Sequence, residues 1–401
     1  MTQALLARRP LGVRLDLSVV QRAYEALGHP GEGTPTIHVV GTNGKGSTVA
    51  LLERGLSRKG LVTGALTSPH LHRLGERVRR AGRAIDDDVL GHAIDEVARV
   101  EAGLSLPRPL TFFELLTLAG LWWLATQGID VSIVEAGLGA RRDATRVVAA
   151  TVVALTSIGL DHEAAIGPTL VDIAREKAGA LRPGGQAFTV PQAPEVMAVL
   201  HAEAEAVGSR LEVVEPWSAS PAGLVGAHQR LNAAVALAAG RAVVPGLEAA
   251  DLDGVSVPGR LERLDVGAGV LCLDVAHNVD GIAAVVAAVE EAVVPRPAVV
   301  LFGCNPDKDR AGMLARLRGL GCPRWWVPIG EGPDPVVERS FDGPSDPALA
   351  LALRDALDRG AVVLVCGSHA LVGAVRARVL GRVEPDDPQD PRPEPRLSSR
   401  A

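Results

Sequence analysis

The sequence predicts an α/β fold in which mostly parallel sheets carry helices on both faces. Short runs of β-branched residues recur along the chain, and each is followed by a glycine or polar turn and then by a longer segment rich in Ala and Leu. Strands that alternate with helices in this way form parallel sheets whose two faces are covered. The 401 residues are enough for two or three domains, each with its own core.

Six buried strands and five helices carry this prediction. The strands are expected at residues 37–40, 131–135, 151–155, 270–274, 298–302 and 361–366. The helices are expected at residues 47–59, 115–125, 170–180, 230–242 and 281–292. The apolar segment 115–125 is shorter than a membrane-spanning helix, so it is predicted to be a buried helix.

A domain boundary is predicted where Asp, Gly and Pro accumulate, between residues 246 and 259. We expect a larger N-terminal domain at residues 1–254 and a smaller, Rossmann-like α/β domain at residues 255–382. Residues 383–401 are rich in Pro, Asp, Glu and Arg, and we expect them to be disordered because they have almost nothing to bury.

The composition is that of a soluble globular protein, with 47% hydrophobic and 22% charged residues and a formal net charge of −6. This mild acidity argues against broad nucleic-acid binding. The N-terminal segment has no long apolar run, so no signal peptide is expected. The four cysteines form no CxxC pair, which favours a reducing compartment. We expect a cytoplasmic monomer with no membrane or nucleic-acid partner.

A glycine-rich loop follows the first predicted strand and precedes a predicted helix. It reads Gly-Thr-Asn-Gly-Lys-Gly-Ser over residues 41–47. Glycines let backbone N–H groups approach phosphate oxygens, the helix N-terminus and Lys45 add positive charge, and the Ser47 hydroxyl can bind Mg²⁺. Val39 and Gly46 break the regular Walker A spacing. The loop predicts a P-loop-type sheet domain, but by itself it does not separate kinases, GTPases and ligases.

With its flanking residues 37–48, this loop resembles that of the Mur ligase superfamily. Further motifs follow in the expected order at residues 67–71, 76–78, 110–114, 134–145, 156–162, 174–179, 226–233, 258–260, 273–278, 307–309 and 367–368. Together they make the chain similar to the folylpolyglutamate synthase/dihydrofolate synthase family from about residue 15 to residue 373. The resemblance implies an ATP-dependent ligase that joins L-glutamate to dihydropteroate, to a folate, or to both.

The resemblance also implies an ATP site shared by the two domains. The expected catalytic residues are Lys45, Lys177 and His277, and Lys177 matches a lysine that this family carbamylates. The expected nucleotide contacts are Asn43, Gly44, Lys45, Gly46, Ser47, Asn232, Arg260 and Asp274. Arg260, Asp274 and His277 would reach ATP from the second domain, so closure of the cleft should complete the site.

Metal and substrate sites follow from the same resemblance. The expected Mg²⁺ ligands are Ser47, Ser68, Glu135 and His162. Glu135 ends a predicted buried strand at the usual ligand edge of a parallel sheet, where an uncompensated carboxylate is costly to bury. The expected substrate contacts are Leu15, Asp16, Thr111, Phe112, Phe113, Glu114, Arg141 and Ser368. Aromatic rings suit the flat rings of a pteroate.

The implied chemistry begins with a carboxylate, which is a poor electrophile. Transfer of the γ-phosphate of ATP makes an acyl phosphate, and the amine of glutamate then displaces phosphate. The protein mainly positions the reactants and neutralises charge.

Several alternatives remain open at this point. A cell-wall Mur ligase generally carries an extra N-terminal domain, for which the 40 residues before Gly41 are too few. A regulatory ATPase, a member acting on only one acid substrate, and a degenerate folate-binding or ATP-binding protein are the others. Val257, Val275 and His369 depart from the family pattern and keep the last alternative open. Arg146 also departs from it, because it stands where the family usually has Asn. We expect a bifunctional enzyme.

Overall fold

The computed structural model describes residues 3–8, 16–330, 335 and 337–381. The tail predicted to be disordered, residues 383–401, and the predicted substrate contact Leu15 lie outside the described residues.

The first sheet has eight strands in the order β4-β3-β2-β5-β1-β6-β7-β8. They are β1 Thr36–Val40, β2 Thr63–Leu66, β3 Val78–Arg80, β4 Arg83–Ala84, β5 Val131–Glu135, β6 Val152–Leu155, β7 Gln186–Thr189 and β8 Arg210–Val213. The pairs β2/β3 and β3/β4 are antiparallel, and the remaining neighbours are parallel. The carboxyl ends of β1, β5 and β6 therefore meet at one edge.

Helices cover both faces of this sheet. They are α1 Gln3–Leu6, α2 Leu17–Ala26, α3 Lys45–Arg58, α4 Asp87–Ala102, α5 Phe112–Ala125, α6 Glu163–Ile166, α7 Leu170–Ala178, α8 Pro194–Val207 and α9 His228–Val243. Helices α3 and α9 pack against Ile37 and Val39 of β1. Helices α7 and α8 pack on the opposite face, against Val40 and Leu155. Alternate strand residues thus supply two separate cores.

The second sheet has six strands in the order β13-β12-β11-β14-β10-β9. They are β9 Glu262–Val266, β10 Gly269–Leu273, β11 Val299–Phe302, β12 Arg324–Trp326, β13 Arg339–Ser340 and β14 Val362–Cys366. The pair β9/β10 is antiparallel, and the other neighbours are parallel. The helices of this part are α10 Val279–Glu290, α11 Arg310–Arg318, α12 Pro347–Asp358 and α13 His369–Val379.

The predicted α/β fold is confirmed. All six predicted strands are present, and each begins and ends within one residue of its expected position. Helix α3 begins at Lys45 and not at residue 47, so the loop lysine lies in its first turn. The boundary predicted at 254/255 falls between β8 and β9 and stays a prediction. In the described part of the chain, no helix has both the length and the apolar character needed to cross a membrane.

Candidate active site

The glycine loop lies between the buried strand β1 and the first turn of α3. Gly44 has a φ of 93°, and a Cβ atom there would lie 2.1 Å from Oδ1 of Asn232. Glycine is therefore required on both conformational and steric grounds. The backbone N–H of Thr42 donates to the carbonyl of Ser157 at 2.8 Å, which ties the loop to the end of β6. The predicted nucleotide residue Asn232 thus lies against the loop.

Two lysines point at the carbonyl groups of this loop, and of these Lys177 is buried and Lys45 is partly buried. Lys45 Nζ donates to the carbonyl oxygens of Gly41 and Thr42 at 3.2 and 3.1 Å. Lys177 Nζ, from α7, donates to Gly41 O at 2.7 Å. Burial lowers the pKa of Lys45, and burial together with the charge of Lys45 lowers the pKa of Lys177 to about 7. Cations bonded to carbonyl oxygens at a helix N-terminus favour the binding of phosphate.

Glu135 lies at the carboxyl end of β5, close to these cations. Its side chain is buried, and Oε2 accepts a hydrogen bond from the backbone N–H of Ser68 at 3.3 Å. Burial raises the pKa of Glu135, while the charges of Lys45 and Arg260 oppose that rise. Arg260 comes from the second half of the chain, and a Cβ on Gly46 would lie 3.4 Å from its Nη2. The structure therefore places Arg260 beside the loop.

The four predicted metal ligands fall into separate groups. Ser68 and Glu135 are in contact, whereas His162 lies beside Asp161, 3.9 Å from Nε2 to Oδ1. The hydroxyl of Ser47 lies 3.4 Å from Gln229 Nε2. Among the described residues, no three His, Cys, Asp or Glu side chains form a group that could hold a metal ion. This donor set fits Mg²⁺, which takes one or two protein carboxylates and completes its shell with phosphate oxygens and water.

Asp161 connects the two halves of the chain. Its Oδ1 lies 2.5 Å from Lys308 Nζ, and its Oδ2 lies 3.0 Å from Asn278 Nδ2 and 3.5 Å from His277 Nε2. The amides of Asn43 and Asn278 also exchange hydrogen bonds at 3.1 and 3.0 Å. Burial alone would raise the pKa of Asp161, but the hydrogen bond from His277 and the charge of Lys308 hold it well below its usual value. We call these five residues the Asp161 cluster.

Two predicted residues of the second half lie in local structural contacts. Asp274 accepts hydrogen bonds from the backbone N–H groups of Leu261 and Ala276, both at 2.8 Å. It therefore fixes the turn that carries Arg260. Ser368 caps α13, because its hydroxyl accepts from the backbone of Leu371 at 3.1 Å. Their predicted contacts with nucleotide and substrate stay predictions.

The sequence reasoning missed Arg108, which joins two predicted substrate residues, Glu114 and Asp16. Arg108 Nη1 lies 2.7 Å from Glu114 Oε2, and Nη2 donates to the carbonyl of Asp16 at 3.3 Å. Glu114 and Thr111 form the capping box of α5. The sequence could have indicated this contact, because Arg108 lies just before a capping box whose acidic residue is Glu114.

A small cavity opens at the carboxyl edge of the first sheet. Its lining residues are Leu66, Thr67, Ser68, Arg77, Val78, Phe113, Leu116, Thr117, Glu135 and Thr145. Phe113 thus faces the cavity, whereas the ring of Phe112 lies 5.5 Å from the guanidinium of Arg77. The cavity therefore brings Phe113, a predicted substrate residue, together with the predicted metal ligands Ser68 and Glu135.

Arg141 is placed differently from the other predicted substrate residues. Its guanidinium pairs with Glu203 at 2.6 Å and donates to the carbonyl of Arg175 at 3.2 Å. The side chain is 46% exposed. Its predicted role stays a prediction, and these contacts give it no support.

Comparison with known proteins connects this geometry to a family. Residues 259–369 match the model of the Mur ligase glutamate ligase domain. The chain is 30% identical over 402 residues to folylpolyglutamate synthase of Lacticaseibacillus casei, covering 89% of this chain and 92% of that protein. It is 34% identical over 365 residues to dihydrofolate synthase/folylpolyglutamate synthase of Escherichia coli, covering 84% of this chain and 85% of that protein.

The fold agrees with these relatives. A solved structure of a bifunctional folylpolyglutamate synthase/dihydrofolate synthase with Mn, AMPPNP and L-glutamate bound matches with a TM-score of 0.81 and 30% identity. The match covers 94% of this chain and 97% of that one. The chain belongs to the folylpolyglutamate synthase/dihydrofolate synthase family.

Proposed function

We propose that this protein is an ATP-dependent ligase that joins L-glutamate to dihydropteroate, to a folate, or to both. One observation carries the proposal: Lys45, Lys177 and Arg260 lie around a phosphate loop that is next to Glu135 and the cavity. Two relatives bear the names of these ligase activities. A structural relative holds an ATP analogue, a metal ion and L-glutamate together.

The chemistry assigns each group a task. The carboxylate of the acid substrate attacks the γ-phosphorus of ATP, the bond to ADP breaks, and an acyl phosphate forms. The amine of glutamate then attacks the acyl carbon, phosphate leaves, and the amine loses a proton. Lys45, Arg260 and the loop N–H groups neutralise charge on the transferring phosphoryl group. His277, whose Nε2 lies 3.5 Å from Asp161 Oδ2, is proposed to face the nucleotide and glutamate.

Mg²⁺ would be held by Ser47, Ser68 and Glu135 and would neutralise phosphate charge. The fourth candidate ligand, His162, comes from the family resemblance. Asn43, Gly44, Gly46, Asn232 and Asp274 are proposed to complete the nucleotide site.

Lys177 is proposed to be carbamylated, as its family resemblance implies. A neutral amine adds CO₂ and loses a proton to give an anionic carbamate. Its pKa of about 7 leaves a substantial neutral fraction at neutral pH, which supports the reaction. Carbon-13 NMR of the folded protein in labelled bicarbonate tests this proposal, and a spectrum in which the parent shows no carbamate signal beyond that of Lys177→Met would contradict it.

The function is tested with purified protein, ATP and L-glutamate. Dihydropteroate and tetrahydrofolate are supplied in separate reactions, and amide products are identified by mass spectrometry. We expect both acids to be converted. Conversion of only one would make the protein monofunctional, and tight binding of both without product would make it a degenerate member.

A cytoplasmic monomer is proposed as well. The structure describes all four cysteines, and each of them is unpaired, as in a reducing compartment. Light scattering after size exclusion would test the monomer, and a dimer mass would contradict it.

A further inference from the structure

His38 is a buried histidine that the proposed chemistry leaves unused. It lies on β1, three residues before Gly41, and only 1% of its surface is exposed. Its neighbours Ile37 and Val39 pack against α3, so the side chain of His38 points to the other face of the sheet. A buried polar group is costly unless it is hydrogen-bonded, so the partners of His38 indicate what it does.

A directed chain of hydrogen bonds begins at this histidine. His38 Nε2 lies 2.9 Å from Thr145 Oγ1, and the Thr145 hydroxyl donates to Asp143 Oδ1 at 2.6 Å. Because the single hydroxyl proton is committed to the carboxylate, Thr145 accepts from His38, and Nε2 carries the donated proton. Burial and the charge of Arg182 lower the pKa of His38 to about 3, so the ring is neutral at neutral pH.

The far end of the chain shapes the loop that follows β5. Asp143 accepts from the backbone N–H groups of Leu138 at 2.7 Å and of Thr145 at 2.9 Å. This loop leaves the sheet directly after Glu135. Thr145 lines the same cavity as Glu135 and Phe113. A change at His38 would therefore reach the cavity wall through Thr145.

We propose that His38 is a positioning residue for the acid substrate, because its Nε2–H fixes Thr145 and Asp143 and thereby the cavity wall beside Glu135. This inference rests on the proposed function. Strand β1 carries His38 and also leads into the phosphate loop. This one strand would therefore position both the loop that binds the ATP phosphates and the cavity wall beside Glu135. The carboxylate of Asp143 also raises the pKa of Lys45 and Lys177, which places its charge within reach of the phosphate site.

Two pairs of variants test the chain. His38→Leu removes one hydrogen bond of the chain and Thr145→Val removes two, whereas His38→Gln keeps an N–H donor and Thr145→Ser keeps the hydroxyl. We expect the two deletions to raise KM for the acid substrate about tenfold and KM for ATP less than about twofold. The conservative variants should recover most of the loss. The double variant His38→Leu/Thr145→Val should raise KM for the acid substrate no more than the more impaired single variant, because both substitutions break the same chain of hydrogen bonds.

Thr63→Val is the matched control. Thr63 is a buried threonine at the start of β2, and within the described part of the chain its hydroxyl has no hydrogen-bond partner. Its replacement should leave both KM values unchanged.

Hydrogen exchange supplies a readout that does not depend on ligase activity. Amides of residues 137–145 should exchange faster in His38→Leu and Thr145→Val than in the parent, His38→Gln or the control. Parent-like KM and exchange in a folded His38→Leu protein would overturn the proposal, as would a His38→Gln protein as impaired as His38→Leu. If His38→Leu fails to fold, the two Thr145 variants decide the question. A parent protein inactive on every acid would contradict the proposed function, while the exchange data would still test His38.

Discussion

The phosphate loop and the Asp161 cluster each hold a lysine ammonium, but they compensate its charge differently. Lys45 donates to neutral carbonyl oxygens of the loop. Lys308 lies 2.5 Å from the Asp161 carboxylate. A buried cation without a carboxylate in contact remains poorly compensated, so an incoming phosphate stabilises it. A paired cation gains less from a ligand and instead connects the elements that carry the pair. The loop lysine is therefore suited to bind an anion, whereas the Asp161 cluster connects the two halves of the chain.

Lys45→Ala should have the largest effect, because it removes a charge placed for the transferring phosphoryl group. We expect ATP-dependent amide formation to fall by about 10³-fold, with the melting temperature unchanged or raised. The measurement is initial rate at saturating substrates beside a thermal melt. Retained turnover would show that the loop does not neutralise the reacting phosphate.

Asp161→Asn should have the next largest effect, because it leaves Lys308 buried opposite a neutral amide. We expect a loss of about 3 kcal/mol in the free energy of unfolding and a fall of roughly 30-fold in kcat/KM for ATP. Urea unfolding and steady-state kinetics measure the two quantities.

A second variant, Lys308→Met, removes the lysine that pairs with Asp161. In the Asp161→Asn background it should restore part of the stability, since no cation is then left unpaired. Glu96→Gln, in the exposed pair with Arg99, is the control and should change nothing measurable. Strictly additive losses in the double variant would contradict the pairing.

The lowered pKa of Lys177 predicts that the free energy of unfolding depends on pH, which distinguishes the phosphate loop from the Asp161 cluster. Its pKa is about 7 in the folded protein and near 10.5 in the unfolded chain. Above about pH 7 the unfolded state therefore binds more protons, so stability rises with pH. Between about pH 7 and pH 9, CO₂-free protein should gain about 2 kcal/mol relative to Lys177→Met. Parallel stability curves for the two proteins would show that the ammonium is not destabilised by burial.

Arg141→Ala should have the smallest effect. Its exposed pair with Glu203 contributes little, and exposed pairs are worth at most about 1 kcal/mol. We expect KM for the acid substrate to change less than about twofold. A rise of tenfold or more would instead support the substrate role that the sequence suggested.

The strand framework could be predicted because burial and β-branching dominate its sequence. Strand β5 is predicted with its observed bounds, and all five of its residues are buried. Strand β8 was missed, since it is an edge strand of four residues with mostly exposed side chains. Helix α3 was predicted to begin two residues too late, because Lys45 serves both the loop and the first turn.

The candidate site was predictable only where its residues lie in short motifs. Glu135 ends a recognisable strand, and Lys45 lies just after the loop that follows another. The bond from Lys308 to Asp161 spans 147 positions, and that from His38 to Thr145 spans 107. Such pairs depend on how strands are ordered in the sheet, which the local pattern does not encode.

The most direct test of the account follows an oxygen atom from the acid substrate to phosphate. Dihydropteroate or tetrahydrofolate labelled with oxygen-18 in its reacting carboxylate is incubated with the protein, ATP and L-glutamate, and the released phosphate is examined by mass spectrometry. We expect labelled inorganic phosphate to form together with the amide, and both products to form about 10³-fold more slowly with Lys45→Ala. Amide formation with unlabelled phosphate, or with the label in AMP, would contradict an acyl phosphate formed at the glycine loop.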